Sequence, residues 1–295
     1  KARPSVSVYL PTHNRAALLA RAIESVLSQS FTDFELIVVD DGSRDDTPDI
    51  ITRFCARDSR VKGLRTAESQ GAPAARNMAI RAASGTYITG LDDDDEMRPQ
   101  RIQELITAFR PEFSLVSSSS IRQTSEWSQL LHPGERIITL DALLHRNIIG
   151  TQALTLRDRI ISIGGFDTSF QASQDYDLWI RLAAMSDKFS FISEPLGEYH
   201  RHDNNVSANI EKHLAAELAL LAKHFSANTR FENMIARRRR KALAYYGAGR
   251  SLHRTRKHFL ALQKYFRSLV IWPISLRLYA AVMLSLMGFF KPKSK

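Results

Sequence analysis

The chain has 295 residues, 44% hydrophobic and 24% charged, which is globular composition and excludes a disordered or collagen-like chain. Its single cysteine, Cys55, excludes a disulfide framework and fits a cytoplasmic compartment. The formal net charge of +10 hides an asymmetry. Residues 1–229 contain 25 Lys and Arg and 30 Asp and Glu, a net charge of −5. Residues 230–295 contain 16 Lys and Arg and one Glu, a net charge of +15. A mildly acidic body followed by a basic tail predicts an anionic partner, either a nucleic acid or a membrane surface.

The first half of the chain predicts alternating strands and helices. Apolar runs predict buried strands at residues 5–10, 34–40, 86–91 and 113–117, and helical periodicity predicts helices at residues 15–29, 47–58, 72–83 and 99–109. This succession is typical of βαβ units, so we expect a mixed, mostly parallel sheet flanked by helices, with residues 113–117 returning to it.

The second half predicts shorter elements and then only helices. They are a short helix near 140–146, a helix at 174–186, strands at 188–193 and 196–201, and helices at 206–226, 230–247, 252–268 and 272–289. The charged N-terminal residues lack a long apolar region, so no signal peptide is expected. The nearest candidate for a spanning segment, residues 278–290, has 13 residues and is too short to cross a bilayer.

Ligands of open α/β sheets bind beyond the carboxyl ends of the strands, and three polar clusters follow predicted strands. Residues 11–15 follow the first strand, Asp40 and Asp41 end the second, and five adjacent acids, residues 92–96, follow the strand at 86–91. Adjacent carboxylates repel one another unless a cation lies among them, and hard oxygen ligands suit Mn²⁺ or Mg²⁺ together with substrate phosphates. The acidic run therefore predicts a metal and diphosphate site, with a solvated acidic turn as the alternative.

The other candidate residues also have two interpretations each. Asp40 and Asp41 are either turn residues before Gly42 or carboxylates that accept hydrogen bonds from an imide N–H or ribose hydroxyls. Arg76, in the segment that opens the helix at 72–83, is either a surface charge or a contact to the nucleotide.

Seven segments together resemble family 2 glycosyltransferases with a GT-A fold, the nucleotide-diphospho-sugar transferases. They are VSVYLPTHNR, FELIVVDDGSRDDT, SQGAPAARN, GTYITGLDDDDEMRP, GGFDTSF, QDYDLWIRL and YHRHDNNVS. The segments occur in the family's order and cover residues 5–207. The fold class implied is α/β with a Rossmann-like GT-A sheet, followed by a C-terminal helical extension.

The resemblance also implies site residues. The donor nucleotide-sugar is implied to contact Pro11, Thr12, His13, Asn14, Asp40, Asp41, Arg76, Asp92 and Asp93. Among these, Thr12, Asp41 and Arg76 hold the nucleobase, usually uracil, with Asp40 close by. The implied metal ligands are Asp94, Asp92 and His202, with Asp94 in direct contact. A solvated loop histidine is the alternative for His202.

Asp175 occupies the position of the family's catalytic base. Because Asp175 lies at a predicted helix start, we expect the positive end of the helix dipole to keep its pKa low. Gln174 replaces the usual Glu before this base, and Ser69 stands where an Asn is common. Gly164–Asp167 is interpreted as a plain turn or a sugar contact, and Trp179 as core packing or an acceptor platform.

The resemblance implies a metal-dependent, inverting transfer of a sugar from a UDP-sugar to a hydroxyl of a saccharide. A lipid-linked acceptor in the assembly of O-antigen, capsule or lipopolysaccharide is expected. The alternatives are a nucleotidyltransferase and a non-catalytic, basic nucleic-acid-binding protein.

The expected domains are a catalytic domain at 1–229 and a basic extension at 230–295. The nucleotide half of the catalytic domain is about 1–98 and the acceptor half about 99–229. The extension pairs cations with an apolar, aromatic end, which is typical of an interfacial helix. Since no nucleic-acid-binding motif is found, we expect peripheral attachment to the cytoplasmic face of the membrane and no nucleic acid partner.

Overall fold

The computed structural model describes residues 3–124, 127–131, 136–145, 147–150, 152–170, 172–186, 188–200, 209–225, 231–274 and 276–289. Contacts divide the chain into two compact units, Lys1–His202 and Asp203–Lys295. The composition break near residue 229 therefore lies inside the second unit, and the helix that precedes the break belongs with the basic helices that follow it.

The strands are β1 (Val6–Thr12), β2 (Phe34–Asp40), β3 (Val61–Arg65), β4 (Tyr87–Gly90), β5 (Glu96–Met97), β6 (Val116–Gln123), β7 (Ser128–Leu131), β8 (Arg136–Thr139), β9 (Thr155–Leu156) and β10 (Lys188–His200). The helices are α1 (Ala16–Leu27), α2 (Thr47–Arg57), α3 (Ala72–Ala82), α4 (Arg101–Ala108), α5 (Leu140–His145), α6 (Arg157–Ser162), α7 (Gln174–Ala183), α8 (Ile210–Phe225), α9 (Phe231–Arg254), α10 (His258–Ile271) and α11 (Leu276–Phe289).

The first sheet has the strand order β3-β2-β1-β4-β9, with every neighbouring pair parallel except β4 and β9. This confirms the predicted mixed, mostly parallel sheet. Every residue of β1 and β2 is buried, because helices cover both faces, and this explains their continuous apolar sequences. The strand order reverses at β1, so a crevice opens between the carboxyl ends of β1 and β4.

Side chains alternate between the two faces of β1. Val6, Val8 and Leu10 pack into a core that includes Ile23 of α1. Tyr9 points to the opposite face, where its ring meets the edge of Phe166 at a centroid distance of 5.9 Å. Tyr9 therefore lies beneath the crevice.

A second sheet in the first unit has the order β5-β10-β6-β7, with β8 also paired to β10. Residues 113–117 were expected in the first sheet, but the strand here is β6, which pairs with β10. The two strands predicted at 188–193 and 196–201 form the single strand β10, because a register shift around Pro195 absorbs the irregularity. Through its pairing with β5, the far end of β10 reaches the acidic run.

The second unit consists of helices α8–α11 in the residues described. Leu214 of α8 packs with Ala244 and Ala248 of α9, and Tyr265 of α10 packs with Ala281 of α11. The helix break predicted between residues 247 and 252 is wrong, because α9 continues to Arg254. A side chain at Gly249 would overlap the Tyr265 ring, so this glycine serves close helix packing and not a turn. No described helix combines the length and apolarity needed to cross a membrane.

Candidate active site

The polar clusters predicted from sequence meet at the carboxyl edge of the first sheet. Thr12 is the register partner of Asp40, and its carbonyl accepts a hydrogen bond of 2.8 Å from the Asp41 N–H. On the other side, the acidic run begins two residues after β4 ends at Gly90. The ends of β1, β2 and β4 therefore border one crevice at the point where the strand order reverses.

The segment after β1 connects two of these clusters. Pro11 is a buried residue of β1 and lies opposite Val39. His13 Nδ1 lies 2.7 Å from the carbonyl oxygen of Asp41, and the Asn14 N–H donates to Ser43 Oγ at 2.8 Å. Asn14 adopts a φ of +52°, a conformation that asparagine tolerates better than most residues. His13 and Asn14 thus hold the β1 and β2 loops together.

Asp41 is held by a ring of donors from the loop between β3 and α3. Its carboxylate accepts hydrogen bonds from the hydroxyls of Thr66 and Ser69 and from the backbone N–H groups of Gln70 and Gly71, at 2.7–3.1 Å. Burial would raise the pKa of Asp41, but these donors outweigh burial and hold the pKa below its ordinary value. Ser69, the departure noted in the sequence, is therefore one of the groups that keep Asp41 ionised.

Asp40 is also buried and has fewer partners. One carboxylate oxygen accepts from the Ser43 N–H at 2.9 Å, and the other lies 3.2 Å from Arg65 Nε. Arg65 is the last residue of β3, so the cation comes from the neighbouring strand.

Arg76 joins the two halves of the site. Its guanidinium donates to Asp92 Oδ1 at 2.6 Å and lies 3.4 Å from Asp175 Oδ1, while the Phe166 ring lies 5.2 Å from its Cζ. Burial would lower the pKa of Arg76, but Asp175 and Asp92 hold the pKa above its ordinary value. The side chain is buried, so it is not a surface charge.

Asp175 is the second residue of α7, and Ser173 before this helix has a φ of +58°. Burial raises the pKa of Asp175 to about 6; Arg76 opposes this rise and Asp92 adds to it. The low pKa expected from the helix dipole is therefore wrong, because burial and a second carboxylate outweigh the dipole. A carboxylate with this pKa is ionised at neutral pH and basic enough to accept a proton.

The members of the acidic run have different environments. Burial and the neighbouring Asp94 and Asp92 raise the pKa of Asp93 to about 7, while the Thr12 side chain opposes the rise. Asp95 is fully buried, and it accepts from the His200 N–H at 3.2 Å and from Gln152 Nε2 at 3.4 Å. Burial is also the largest cause of the raised pKa of Asp95. Burial, with a smaller effect of neighbouring carboxylates, thus raises the pKa of both Asp93 and Asp95.

A further group of metal-binding side chains lies beside the run. Glu96, Glu198 and His200 each offer a ligand atom, and these atoms lie within 4.8 Å of one another. Arg21 Nε also contacts Glu96 at 3.0 Å, and Arg98 Nε contacts Glu198 at 3.1 Å. Glu198 and His200 were not among the site residues predicted from sequence, although alternate positions on a strand that ends in a His-rich segment are a usable signal. His202, which was predicted, lies outside the described residues.

Packing decides the interpretation of Trp179 and shows how the turn at Gly164–Asp167 is held. Trp179 is buried and donates from Nε1 to the Gly150 carbonyl at 2.9 Å, so it is a core residue and not an acceptor platform. The turn at Gly165 has a φ of +74°, and Asn77 exchanges two hydrogen bonds of 2.8 Å with the Phe166 backbone. This turn fixes the aromatic ring beneath Arg76.

Comparison with known proteins identifies the family. A family model described as Glycosyl transferase family 2 matches residues 7–170, more than half of the chain. The chain belongs to glycosyl transferase family 2. It is 37% identical over 196 residues to the putative colanic acid biosynthesis glycosyl transferase WcaA of Escherichia coli (strain K12), which is 62% of this chain and 67% of WcaA.

Other relatives are more distant or much longer. The chain is 29% identical over 211 residues to the putative teichuronic acid biosynthesis glycosyltransferase TuaG of Bacillus subtilis (strain 168), covering 70% of this chain and 83% of TuaG. It is 29% identical over 213 residues to chondroitin synthase of Escherichia coli, covering 69% of this chain but only 30% of that protein.

Solved structures support the GT-A fold assignment of this family 2 member. The S. aureus TarS 1-349 complex with UDP-GlcNAc aligns with a TM-score of 0.66 at 15% identity, over 97% of this chain and 86% of that one. The Pyrobaculum calidifontis mannosyltransferase PcManGT, in complex with GDP-Man and Mn2+, aligns with a TM-score of 0.65 at 19% identity, over 99% and 82%. At these sequence identities, the structural similarity is evidence for the fold alone.

Proposed function

We propose that this family 2 glycosyltransferase is a metal-dependent, inverting enzyme that transfers a sugar from a UDP-sugar to a hydroxyl of a saccharide. The observation that carries the proposal is the bridge made by Arg76 between Asp92 and Asp175. Asp92 follows the strand that ends at the donor crevice, and Asp175 begins a helix from the other half of the unit. One buried cation thus brings a donor-side carboxylate and a candidate base into the same site.

The donor nucleotide is proposed to lie along the ends of β1 and β2. Thr12, His13 and Asn14 lie at the end of β1, and Asp40 and Asp41 lie beside them at the end of the adjacent strand β2. Thr12 is buried at the end of β1, and its side chain also interacts with Asp93, which ties this strand end to the acidic run. Asp41 already accepts four hydrogen bonds, so a nucleobase N–H would have to displace or share one of them.

Uracil is proposed as the base, and the neighbour in complex with UDP-GlcNAc supports this choice. Because another neighbour is in complex with GDP-Man, the test is a panel of UDP- and GDP-sugars, read as release of nucleotide with saccharide acceptors present. We expect turnover with a UDP-hexose or its N-acetylated form. Preferential use of a GDP-sugar would contradict the proposal.

The residues present fit a divalent cation, Mn²⁺ or Mg²⁺. Asp92, Asp93 and Asp94 supply hard oxygen atoms from three consecutive residues at the end of β4, which is the ligand type that these cations prefer. Asp94 and Asp92 are the proposed ligands, with His202 as a third, and a metal there supplies charge neutralisation to the departing diphosphate. Removal of divalent ions with EDTA should abolish transfer, and Mn²⁺ or Mg²⁺ should restore it; full turnover in EDTA would contradict the requirement.

Asp175 is the proposed general base. Its carboxylate takes the proton from the acceptor hydroxyl as the hydroxyl oxygen attacks the anomeric carbon and the bond to the diphosphate oxygen breaks. Arg76 orients Asp175 through the contact at 3.4 Å. We propose a single displacement that inverts the anomeric configuration, because one base acts on the acceptor side and the family resemblance implies inversion.

The variant Asp175→Asn tests this role. It removes the base while it keeps the shape of the side chain, so kcat should fall by about 10²–10⁴-fold. UDP affinity, measured by calorimetry, should change by less than roughly threefold because Asp175 is not a proposed nucleotide contact. Asp158→Asn, which alters an exposed carboxylate on α6, is the matched control. Near-normal turnover of Asp175→Asn would exclude Asp175 as the base.

The acceptor is proposed to be a saccharide, lipid-linked, in the synthesis of a bacterial surface polysaccharide such as O-antigen, capsule or lipopolysaccharide. The names of relatives in colanic acid and teichuronic acid biosynthesis support this proposal. The test is sugar transfer onto membrane extracts compared with free oligosaccharides, and we expect product to partition with lipid. Transfer to free oligosaccharides only would contradict a lipid-linked acceptor.

Peripheral attachment to the cytoplasmic face of the membrane is the last part of the proposal. It rests on the +15 charge of residues 230–295 and on the apolar residues among these cations. Fractionation of cells that contain the full chain should recover it with membranes at low salt. Recovery in the soluble fraction at every salt concentration would contradict attachment.

A further inference from the structure

Helix α10 carries an apolar stripe that no described residue covers. Phe259, Phe266 and Val270 are 62%, 65% and 70% exposed, and Ile274, beyond the end of the helix, is 80% exposed. Residues 259, 266 and 270 are seven and four positions apart, so at 100° per residue they fall within an arc of about 40°. At 1.5 Å per residue this stripe runs for about 17 Å along the helix. Exposed aromatic and aliphatic side chains aligned in this way mark an interaction surface.

The opposite face of α10 packs inside the second unit. Ala261, Tyr265 and Ser268 are buried, and the Ser268 hydroxyl donates to the Ala242 carbonyl of α9 at 2.7 Å. Helix α11 repeats the arrangement, since Ala281 and Ser285 are buried while Tyr279 and Met283 are at least half exposed. The outward apolar residues therefore contribute nothing to the core of the second unit.

Two cations of the second unit are in ion pairs among the described residues, and several others are exposed. Lys264 is paired with Glu211, and Arg240 with Glu217. Arg237, Arg238, Arg239 and Lys241 are exposed on α9, and the structure places no carboxylate beside them in its described part. Arg256 and Lys257 are exposed immediately before α10. Exposed cations thus adjoin the start of the apolar stripe, and further exposed cations lie on α9 of the same unit.

Cations together with exposed apolar side chains distinguish between three possible partners: a second copy of this chain, a nucleic acid and an anionic bilayer. A second copy of the same face would bring like charges together, because residues 230–295 contain one acid against 16 cations. A nucleic acid would satisfy the cations and leave the Phe and Val side chains in water. An anionic bilayer satisfies both, since its headgroups attract the cations and its acyl chains accept the apolar stripe.

We propose that α10 lies in the plane of an anionic lipid surface, with Phe259, Phe266, Val270 and Ile274 inserted below the headgroups. This inference rests on the proposed membrane attachment and specifies the helix face that makes it. Arg256 and Lys257, directly before α10, neutralise lipid phosphates beside the inserted side chains, and the other cations of the unit add long-range attraction.

The test is sedimentation of the full chain with vesicles of phosphatidylcholine alone or with about 30% phosphatidylglycerol. The double variant Phe266→Glu/Val270→Glu should lower the partition onto anionic vesicles at least roughly tenfold. The reason is that two apolar side chains that would insert into the lipid are replaced by charged ones. Both residues are exposed, so folding, followed by circular dichroism, should not change. The matched control is Ile161→Glu/Met185→Glu, which alters exposed apolar residues of the first unit and should retain binding.

The outcomes separate the two proposals. Equal binding of wild type and Phe266→Glu/Val270→Glu would overturn the role of the stripe while attachment stands. No binding of wild type to anionic vesicles would overturn both attachment and the stripe. A change in oligomeric state, with vesicle binding intact, would assign the face to self-association instead. UDP binding measured by calorimetry without vesicles should be equal in all variants, and its absence in wild type would contradict the proposed donor site alone.

Discussion

At the scale of single residues, the charge state of Asp175 controls the proposed chemistry. Its pKa of about 6 lies above the ordinary value of 3.8 because the group is buried and Asp92 is near. A general base works only when ionised, so kcat should fall as the pH drops through about 6 and level off above it. Turnover measured from pH 4.5 to 8 checks this expectation. A rate that stays constant down to pH 4.5 would contradict a base with this pKa.

Gly90 makes room for the aromatic support of Arg76. A side chain at this position would overlap the Tyr9 ring, whose edge contacts Phe166. Gly90→Ala should therefore lower the free energy of unfolding by about 1–3 kcal/mol, as overpacking does. Gly247→Ala is the control, because nothing lies within 4 Å of that position and alanine is the better helix former. Urea unfolding distinguishes them; equal stability of Gly90→Ala and wild type would contradict the packing.

The residue types near the site could be predicted from the sequence, but the residues that form hydrogen bonds with them could not. Asp41 was expected near a nucleobase, and the structure adds the donors from residues 66–71 that hold it. These donors come from a loop after β3, a mostly exposed edge strand whose sequence, VKGLR, lacks an apolar run. Sequence periodicity finds buried strands better than edge strands, so β3 was not predicted, although residues 69–71 lie in one of the family segments.

At the scale of elements, Glu35 connects three strands of the first sheet. Its carboxylate on β2 accepts from Ser7 Oγ of β1 at 2.6 Å, from Lys62 Nζ of β3 at 2.5 Å and from the Ser84 N–H at 2.7 Å. Burial would raise its pKa, but Lys62, Ser7 and Ser84 lower it from 4.5 to about 2. The stability that this carboxylate contributes is full above pH 4.5 and is lost as the pH falls towards 2.

Glu35→Gln should lower the free energy of unfolding at pH 7 by on the order of 2 kcal/mol, since the amide cannot accept the same set of donors. The loss should shrink between about pH 4.5 and 2, where wild-type Glu35 also becomes neutral. Glu24→Gln, in an exposed ion pair with Arg57, is the control and should cost less than about 1 kcal/mol. Denaturant unfolding over this pH range is the measurement. A pH-independent difference would contradict the linkage.

The long strand β10 shows where element prediction failed. Pro195 and Gly197 interrupt its apolar pattern and predict a turn, but pairing with β6 continues past them through a register shift. The partner strand lies more than sixty residues away, so no local rule reports this pairing. It is this continuation that brings Glu198 and His200 to Glu96.

At the scale of the whole molecule, the basic block lies entirely within the second unit, whereas the acidic block contains the whole first unit and the start of the second. The net-acidic residues include the crevice of the first unit, and the cations lie on helices of the second. Because the cations accompany an apolar stripe, we expect lipid to be preferred to nucleic acid. Anisotropy with a labelled DNA duplex at about 0.15 M salt should show only weak binding, with a Kd above roughly 10⁻⁶ M. Tight, salt-dependent duplex binding without vesicle binding would favour nucleic acid.

The sequence by itself determined the parallel α/β sheet, the family and the residues at the strand ends, because buried strands, helix periodicity and short motifs are local signals. Only the tertiary structure decided that Arg76 joins Asp92 to Asp175, that burial raises the pKa of Asp175, and that the second unit begins before the charge changes sign. These facts depend on contacts between distant segments and on the exclusion of water. The net charge of +10 likewise reports composition, whereas the fold decides which charges are neutralised, which are buried and which face a partner.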